Sequence, residues 1–440
     1  MMPFSQLAAV FVLLATASQL PGFEPDPEFN ASEILPASQL HSDDHKVRET
    51  VVNDGFMNQY VVETSFGNFE ADGNRQLSRR IQESRALAEL DQVTKSDLYL
   101  DAAKRVVTAP VKAVGKFVDA PAETVKGIPG GVSRKFRSIG RSVKRGAKAV
   151  KEEVTEDDTE EEASEEESTT DEKAAPEEQA DADQESESKT KKYALKWFGV
   201  TGAERRWAQK LAIDPYSDNT VLREKISAVA KVDAAASFGA KLLMPGLGAV
   251  SYVVTVSNLV WSLDGEELRA YNLKQLVEAG VAREAIDTFL DNPIFSPTQQ
   301  TVIVQAMVLM KEANGLENVL TVPEWVDEGE EAWFYANTIH LISRFHQSVS
   351  PVEAISVNPL LPGLMTEDDV TVFVVPVDYL TWNQTLADLL AGPLAGAEGS
   401  EKSIWIEGQA TKTAVSALAN LGWSVEAGVL LDKIDDQASP

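Results

Sequence analysis

The sequence contains no cysteine. This absence excludes disulfide bonds, a thiol nucleophile and thiolate metal ligands, so packing alone must stabilise the fold. Histidine is also scarce, with four in 440 residues. Only His340 and His346 lie in the predicted folded body, and a separation of six residues places them about 240° apart around a helix. They therefore do not form the usual pair of metal ligands.

Several catalytic and cofactor motifs are missing as well. The chain has no G-x-S-x-G, no P-loop and no H-E-x-x-H sequence. The sequence therefore identifies no catalytic residue, and we expect no cofactor and no bound metal. It favours a non-enzymatic protein without excluding an enzyme.

Charge changes sign abruptly in the middle of the chain. Residues 104–151 hold 13 basic and 2 acidic groups, whereas residues 152–188 hold 19 acidic groups and 1 basic group. An acidic tract without aromatic residues cannot bury enough apolar surface to fold, so it predicts a disordered, extended tether. A basic segment beside an acidic tether suggests a surface-binding device, with the tether spacing or masking it.

An 11-residue register orders the basic segment. In four units (109–119, 120–130, 131–141 and 142–152) the second, sixth and ninth positions are all non-polar. Eleven residues in three helical turns keep such positions on one face. The twelve positions are Pro110, Val114, Phe117, Pro121, Val125, Ile128, Val132, Phe136, Ile139, Val143, Ala147 and Val150.

This stripe excludes lysine and arginine, which is the arrangement of a helix at a membrane interface. We expect an anionic membrane surface or an envelope protein to bind there. The stripe has an alternative role, which is packing against a partner helix or against the body of this protein. The candidate binding residues are Arg134, Lys135, Phe136, Arg137, Ile139, Arg141, Lys144, Arg145 and Lys148. Nucleic acid is not expected, because the chain as a whole is acidic.

An uncharged run from Leu242 to Leu263 has the length of a membrane span. Pro245, Gly246 and Gly248 divide it, so we interpret residues 226–263 as a small-residue helical hairpin. Such a hairpin either packs in the core or inserts into a membrane. Insertion would make the protein toxin-like, and a further alternative is an envelope hydrolase with an unidentified carboxylate site in residues 193–440.

The predicted fold class is α+β and predominantly helical. Alternation and turn residues predict a small N-terminal β meander, followed by a helix from about Asn74 to Val93. Ser296-Pro297 predicts a helix start, and the residues from Glu324 to His346 predict another helix. A switch of pattern after Pro351 predicts a small C-terminal α/β unit, which includes a buried strand from Val370 to Val375. The predicted divisions are a signal peptide at 1–17, a linker at 18–46, the meander and helix at 47–95, the basic repeat segment at 96–151, the acidic disordered linker at 152–192, a helical domain at 193–350 and the α/β unit at 351–440.

Three short motifs resemble an uncharacterised family of exported bacterial proteins. The first runs Asp214-Pro215-Tyr216-x-x-Asn219-x-x-Leu222-Arg223, the second surrounds Asp291-Asn292-Pro293, and the third is Leu421-Gly422-Trp423-Ser424-Val425. The resemblance implies a periplasmic or cell-envelope protein, or a secreted one, but no activity. By its chemistry the first motif is a turn that leads into a helix cap. A cation site formed by Asp214, Asp218 and Asn219 is the alternative.

Overall fold

The computed structural model describes residues 20–106, 132, 134–139, 197, 199–237, 239, 254–397 and 399–428. These residues form a mixed α+β fold, which confirms the predicted class. The predicted signal peptide at 1–17, most of the repeat segment and all of the acidic linker at 152–192 lie outside the described residues.

An antiparallel sheet forms the N-terminal part. Strand β4 pairs with β3 near its start, with β2 near its end and with β5 along most of its length, while β1 extends the sheet beyond β3. Alternate side chains of β4 and β5 are buried, so one face of the sheet packs inward. The strands are β1 (Glu28–Asn30), β2 (Lys46–Val47), β3 (Thr50–Asn53), β4 (Asn58–Thr64) and β5 (Gly67–Asp72).

The predicted linker at 18–46 is corrected by the structure. Glu28 pairs with Val52 in the sheet, and the short helices α1 (Ala31–Ile34) and α2 (Ala37–Leu40) follow. Glu24 also accepts hydrogen bonds from the Trp382 N–H and the Thr411 hydroxyl, both at 2.7 Å. These residues are held by backbone pairing and by contacts to distant parts of the chain. Neither kind of interaction requires a regular spacing of hydrophobic residues, so the sequence pattern did not indicate a folded segment here.

Helix α3 (Asn74–Lys95) covers the sheet, close to the predicted range of Asn74 to Val93, and α4 (Asp97–Val106) follows it. Leu77, Leu87 and Leu90 of α3 are fully buried against the sheet and against α6. The remaining helices of the body are α5 (Gly202–Lys210), α6 (Thr220–Ala236), α7 (Val254–Ser262), α8 (Gly265–Glu278), α9 (Arg283–Leu290), α10 (Pro297–Leu309), a 3-10 turn (Leu316–Leu320) and α11 (Gly329–Ser348).

Capping residues set several of these helix starts. Ser296 with Gln299 forms a capping box at α10, and Thr201 with Glu204 does the same at α5. The predicted start at Ser296-Pro297 is therefore confirmed. The helix predicted from Glu324 begins only at Gly329, because Trp325 lies in a turn where its indole N–H donates to the Leu360 carbonyl at 2.8 Å.

The C-terminal unit has a mixed sheet in the order β12-β10-β8-β7-β6. Strands β8, β10 and β12 are parallel, as expected where helices connect strands, whereas β6 and β7 form an antiparallel hairpin that the sequence pattern did not predict. The elements are β6 (Val352–Ser356), β7 (Gly363–Thr366), β8 (Val370–Val375), β9 (Tyr379–Leu380), α12 (Gln384–Ala391), β10 (Glu401–Ile406), β11 (Gln409–Ala410), α13 (Lys412–Asn420) and β12 (Trp423–Ala427).

Two hydrophobic cores cross the predicted domain boundaries. One joins the N-terminal sheet, α3 and α4 to α5 and α6. The other joins α7 to α11 with the C-terminal sheet, and it also takes in Phe56, Met57, Val132 and Phe136. The meander at 47–95 and the helical part at 193–350 therefore share their interiors.

Both described arms of the predicted 226–263 hairpin lie in these cores. Val229 and Ala230 of α6 are buried in the first core, and Val256 and Val260 of α7 are buried in the second. The turn at Pro245 to Gly248 lies outside the described residues. Within the described ranges, none of the helices combines the length and the apolar character needed to cross a membrane. The described parts of both arms are therefore packed in the protein core.

We expect Val260→Asp to destabilise the fold by about 3 kcal/mol or more, because Val260 is fully buried and an unpaired buried charge is costly. Urea unfolding followed by circular dichroism measures the change. The exposed neighbour Asn258 provides the control, since Asn258→Asp should change stability by less than about 0.5 kcal/mol. An equal effect of the two substitutions would show that α7 is not a core helix.

Candidate functional site

Part of the third 11-residue unit is docked on the folded body. We call residues 132 and 134–139 the docked segment, in which 134–139 are helical. Phe136 is 2% exposed and contacts three aromatic rings edge to face, with centroid distances of 5.5 Å to Phe56, 5.4 Å to Trp325 and 5.6 Å to Phe334. Burying a phenylalanine stabilises by about 1.5–3 kcal/mol, and aromatic pairs add to this.

The orientation of this unit follows its sequence register. Val132 and Phe136 are buried in the core, and Ile139 packs against it. All three belong to the predicted stripe, so the stripe of this unit faces the body of the protein. The packing alternative therefore holds here, and Phe136 and Ile139 do not contact a membrane while the segment is docked.

The basic side chains of the same unit lie on the outside. Arg134 and Arg137 are exposed, and the Lys135 ammonium donates to both carboxylate oxygens of Asp327 at 2.6 and 2.5 Å. The Asp327 side chain is 52% exposed, so solvent and salt weaken this ion pair. The other predicted binding residues, Arg141, Lys144, Arg145 and Lys148, lie outside the described residues.

A small polar cavity lies under the docked segment. Its volume is about 30 Å³, which leaves room for about two water molecules. Three carboxylates and two arginines contribute to its walls. The lining residues are Met57, Asp72, Arg75, Gln76, Arg79, Val132, Glu330, Trp333, Phe334, Asn337, Pro376 and Asp378.

Asp72 is the acid of this cavity whose charge is compensated least. Both carboxylate oxygens are inaccessible to solvent, and neither has a hydrogen bond of standard geometry to a described residue. Burial raises the pKa of Asp72 well above its usual range, and the negative charges of Asp54, Glu330 and Asp378 raise it further. A weak hydrogen bond from the Val132 backbone has a smaller effect and lowers the pKa of Asp72. Asp72 therefore holds its proton more firmly than an ordinary aspartate does.

Asp378 links the C-terminal unit to the start of α3. Its carboxylate accepts the Asn58 N–H at 3.0 Å and the Asn74 N–H at 3.1 Å. Gly73, the residue before α3, has no side chain that could cap the helix, so an acid from a distant loop takes this role. Burial raises the pKa of Asp378 to about 7, although the two backbone donors lower it.

Glu330 is the third acid of the cavity. It accepts the Gln76 amide N–H at 2.9 Å, and burial raises its pKa. Arg75 donates to both oxygens of Glu407 at 2.7 and 2.8 Å. The Arg79 guanidinium lies 4.3 Å from the centre of the Trp333 ring, and its positive charge offsets part of the rise in the pKa of Glu330. The cavity therefore brings together three acids that keep their protons to higher pH than usual.

The structure identifies these acids, whereas the sequence did not. Asp72 ends a strand, Glu330 begins a helix and Asp378 lies in a loop, and they come together only through tertiary packing. The local sequence gives no signal at Asp72, because this residue continues the polar positions Asn68 and Glu70 of an alternating strand. Chemically, acids with raised pKa values in one cavity favour proton storage or proton transfer.

The predicted turn of the first motif is confirmed as a structural element. Asp214 accepts the Tyr216 N–H at 2.9 Å and the Thr298 hydroxyl at 2.6 Å. Asn219 caps α6 by accepting the Leu222 N–H at 3.1 Å. Burial raises the pKa of Asp214 to about 6.

The same motif fastens α6 to α3. Arg80 donates to Glu83 at 2.8 Å and to Asp218 at 3.0 Å, while Ser217 and Asn219 donate to Glu83 at 2.5 and 3.0 Å. The side chains of Asp218 and Asn219, which were candidate ligands of a cation, are therefore occupied by hydrogen bonds within the protein. In the described part of the chain, no cluster of three or more histidine or acidic side chains is arranged to hold a metal ion.

The two histidines have separate structural surroundings. His346 accepts the Val352 N–H at 3.0 Å through Nδ1. Burial lowers the pKa of His340 to about 4, and the positive charges of Arg75 and Arg344 contribute to this. His340 is therefore neutral near pH 7.

We expect the pH dependence of stability to report Asp378. Its pKa is about 7 in the folded protein and about 3.9 in an unfolded chain. The folded state therefore binds this proton more tightly than the unfolded state does. The stability that results from protonation of Asp378 is lost as pH rises from about 4 through 7. Asp378→Asn should flatten the dependence of the unfolding free energy on pH. The difference in unfolding free energy across this pH range should fall by at most about 4 kcal/mol.

Urea unfolding at a series of pH values measures the unfolding free energy as a function of pH. The variant and the original protein are compared by the slope of this dependence and not by their absolute stability. The matched control is Asp368→Asn, because Asp368 is exposed. A variant at position 378 with the slope of the original protein would contradict the assignment.

Comparison of the chain with protein-family models, with curated proteins and with solved protein structures gave no match. The resemblance of the three motifs to exported bacterial proteins therefore stays a prediction.

Proposed function

We propose that this chain is a non-enzymatic, exported protein of the bacterial cell envelope that binds an anionic membrane surface through its basic segment. The observation that carries this proposal is the orientation of the docked segment. Phe136 anchors the segment in the core, and Arg134 and Arg137 are exposed beside it.

Charge distribution supports a membrane surface as the partner. Residues 104–151 have a net charge of 13 − 2 = +11 in a chain whose total charge is −29. Each basic residue near an anionic leaflet contributes about 1 kcal/mol, so a concentrated basic segment binds although the whole chain is acidic. An envelope protein with an acidic surface would be recognised by the same charges and is the alternative partner.

Export is supported by the N-terminal sequence. An apolar run from Leu7 to Ala17 ends in the small residues Ala15 and Ala17, which is the pattern of a secretory signal peptide. The motif resemblance points to the same compartment, which we propose to be the periplasm or cell envelope. In this arrangement the acidic tract would tether the basic segment to the body.

Co-sedimentation of the full chain with lipid vesicles tests the proposal. We expect binding to phosphatidylglycerol vesicles that weakens as salt rises, and little binding to phosphatidylcholine vesicles. The double variant Arg134→Glu, Arg137→Glu should weaken binding at least about 10-fold, because two attractive charges become repulsive.

The control is Arg283→Glu, Lys412→Glu, which changes the net charge equally at exposed positions of the body. It should bind nearly as well as the original chain. Equal binding to neutral and anionic vesicles would contradict the proposal.

A second candidate function is hydrolysis of an envelope polymer, and the carboxylates of the cavity favour it. Asp72 and Asp378 have raised pKa values of the kind that general acids have. The cavity of about 30 Å³ is too small for a sugar or peptide. This function therefore requires the docked segment to move away.

Incubation of the full chain with purified cell-wall polymer, followed by measurement of new reducing ends, tests the second candidate. Asp72→Asn is the matched variant, since it removes the acid while keeping its shape. Activity that Asp72→Asn abolishes would favour hydrolysis. If the original chain produces no new reducing ends, whether the docked segment is in place or displaced, hydrolysis of that polymer is excluded.

A further inference from the structure

We propose that the docked segment is a displaceable cover, which closes the carboxylate cavity in the free protein and leaves it when the basic segment binds anionic lipid. This inference rests on the proposed function, because it assumes that the segment binds a membrane surface. It goes beyond that function by coupling membrane binding to the opening of a site in the body.

The two positions of the segment exclude each other. A helix at a membrane interface turns its apolar face toward the acyl chains. In the docked segment the same face, Val132 and Phe136, is buried in the protein, at 3% and 2% exposure. One apolar stripe cannot occupy both places, so lipid insertion of this unit requires undocking.

The cover lies directly over the cavity. Val132 is one of the lining residues, and so is Phe334, whose ring is 5.6 Å from the ring of Phe136. Removing the docked segment would open the cavity at Val132. It would also expose the rings of Phe56, Trp325 and Phe334 beside the acids.

The closed state leaves polar groups unsatisfied. The amide oxygen of Asn337 is buried without a hydrogen-bond partner in the described parts of the chain, and the Asp72 carboxylate has only a weak hydrogen bond from the Val132 backbone. Both residues line the cavity. Buried polar groups without partners disfavour the state that contains them, and water regains access when the cover leaves. This cost opposes the gain from burying Val132 and Phe136.

An anionic lipid surface would also weaken the ion pair between Lys135 and Asp327. Their side chains are 26% and 52% exposed, respectively. Lipid phosphates therefore compete with Asp327 for the Lys135 ammonium. An anionic surface thus weakens the closed state and offers the apolar stripe an alternative environment.

The absence of cysteine from the chain permits a direct experiment. Asn337→Cys places a single thiol on the body wall of the cavity, where residue 337 is 6% exposed. Its reaction with a water-soluble maleimide reports opening. Ala417→Cys, at a fully buried position of α13, is the control for general loosening of the fold.

We expect phosphatidylglycerol vesicles to accelerate labelling of Cys at position 337 at least about 10-fold, and phosphatidylcholine vesicles to leave it unchanged. Labelling at position 417 should stay slow throughout. Adding Lys135→Glu, which removes the pairing with Asp327, should accelerate labelling at position 337 without vesicles. Phe136→Ala should act in the same direction and more strongly.

Co-sedimentation of the same samples separates the two proposals. If the chain binds anionic vesicles while labelling at position 337 stays slow, the cover remains docked and the inference is wrong, although the proposed function stands. If the chain does not bind anionic vesicles, the proposed function fails and the coupling fails with it. If neither Lys135→Glu nor Phe136→Ala accelerates labelling, the segment does not control access to the cavity.

Discussion

The carboxylate of Asp378 makes the interaction on which the arrangement of this protein depends. It accepts backbone N–H groups from Asn58 in the N-terminal sheet and from Asn74 at the start of α3. The first turn of a helix has N–H groups without partners inside the helix. Here the acceptor comes from the loop after β8, so the C-terminal unit completes the N-terminal helix, and the two form one body.

The same interaction creates the acidic cavity. Placing Asp378 at the helix start brings it near Asp72 and Glu330. Repulsion from Glu330 and Asp378 adds to burial in raising the pKa of Asp72, whereas Glu407 and Asp54 add to burial in raising the pKa of Asp378. Arg75 and Arg79 lie in the same walls but interact with Glu407 and Trp333. The result is a small desolvated site that favours protonated acids, covered by a segment with a basic outer side.

Local patterns predicted many of the regular elements. The strand over Val370 to Val375, the helix from Asn74 and the helix start at Ser296-Pro297 depend on alternation and capping, which are properties of neighbouring residues. The pairing of Glu28 with Val52 and the hairpin of β6 with β7 were missed, because they depend on backbone partners far from a strong hydrophobic period. Asp72, Glu330 and Asp378 were missed as a site for the same reason.

The sequence by itself determined the inversion of charge after residue 151 and the 11-residue register of the basic segment, because both are properties of residue order. It also determined which side of the third unit is apolar. Only the tertiary structure decided what that side faces. Phe136 packs among Phe56, Trp325 and Phe334 because folding brings these three rings together, and an amphipathic pattern carries no information about which apolar surface will meet it.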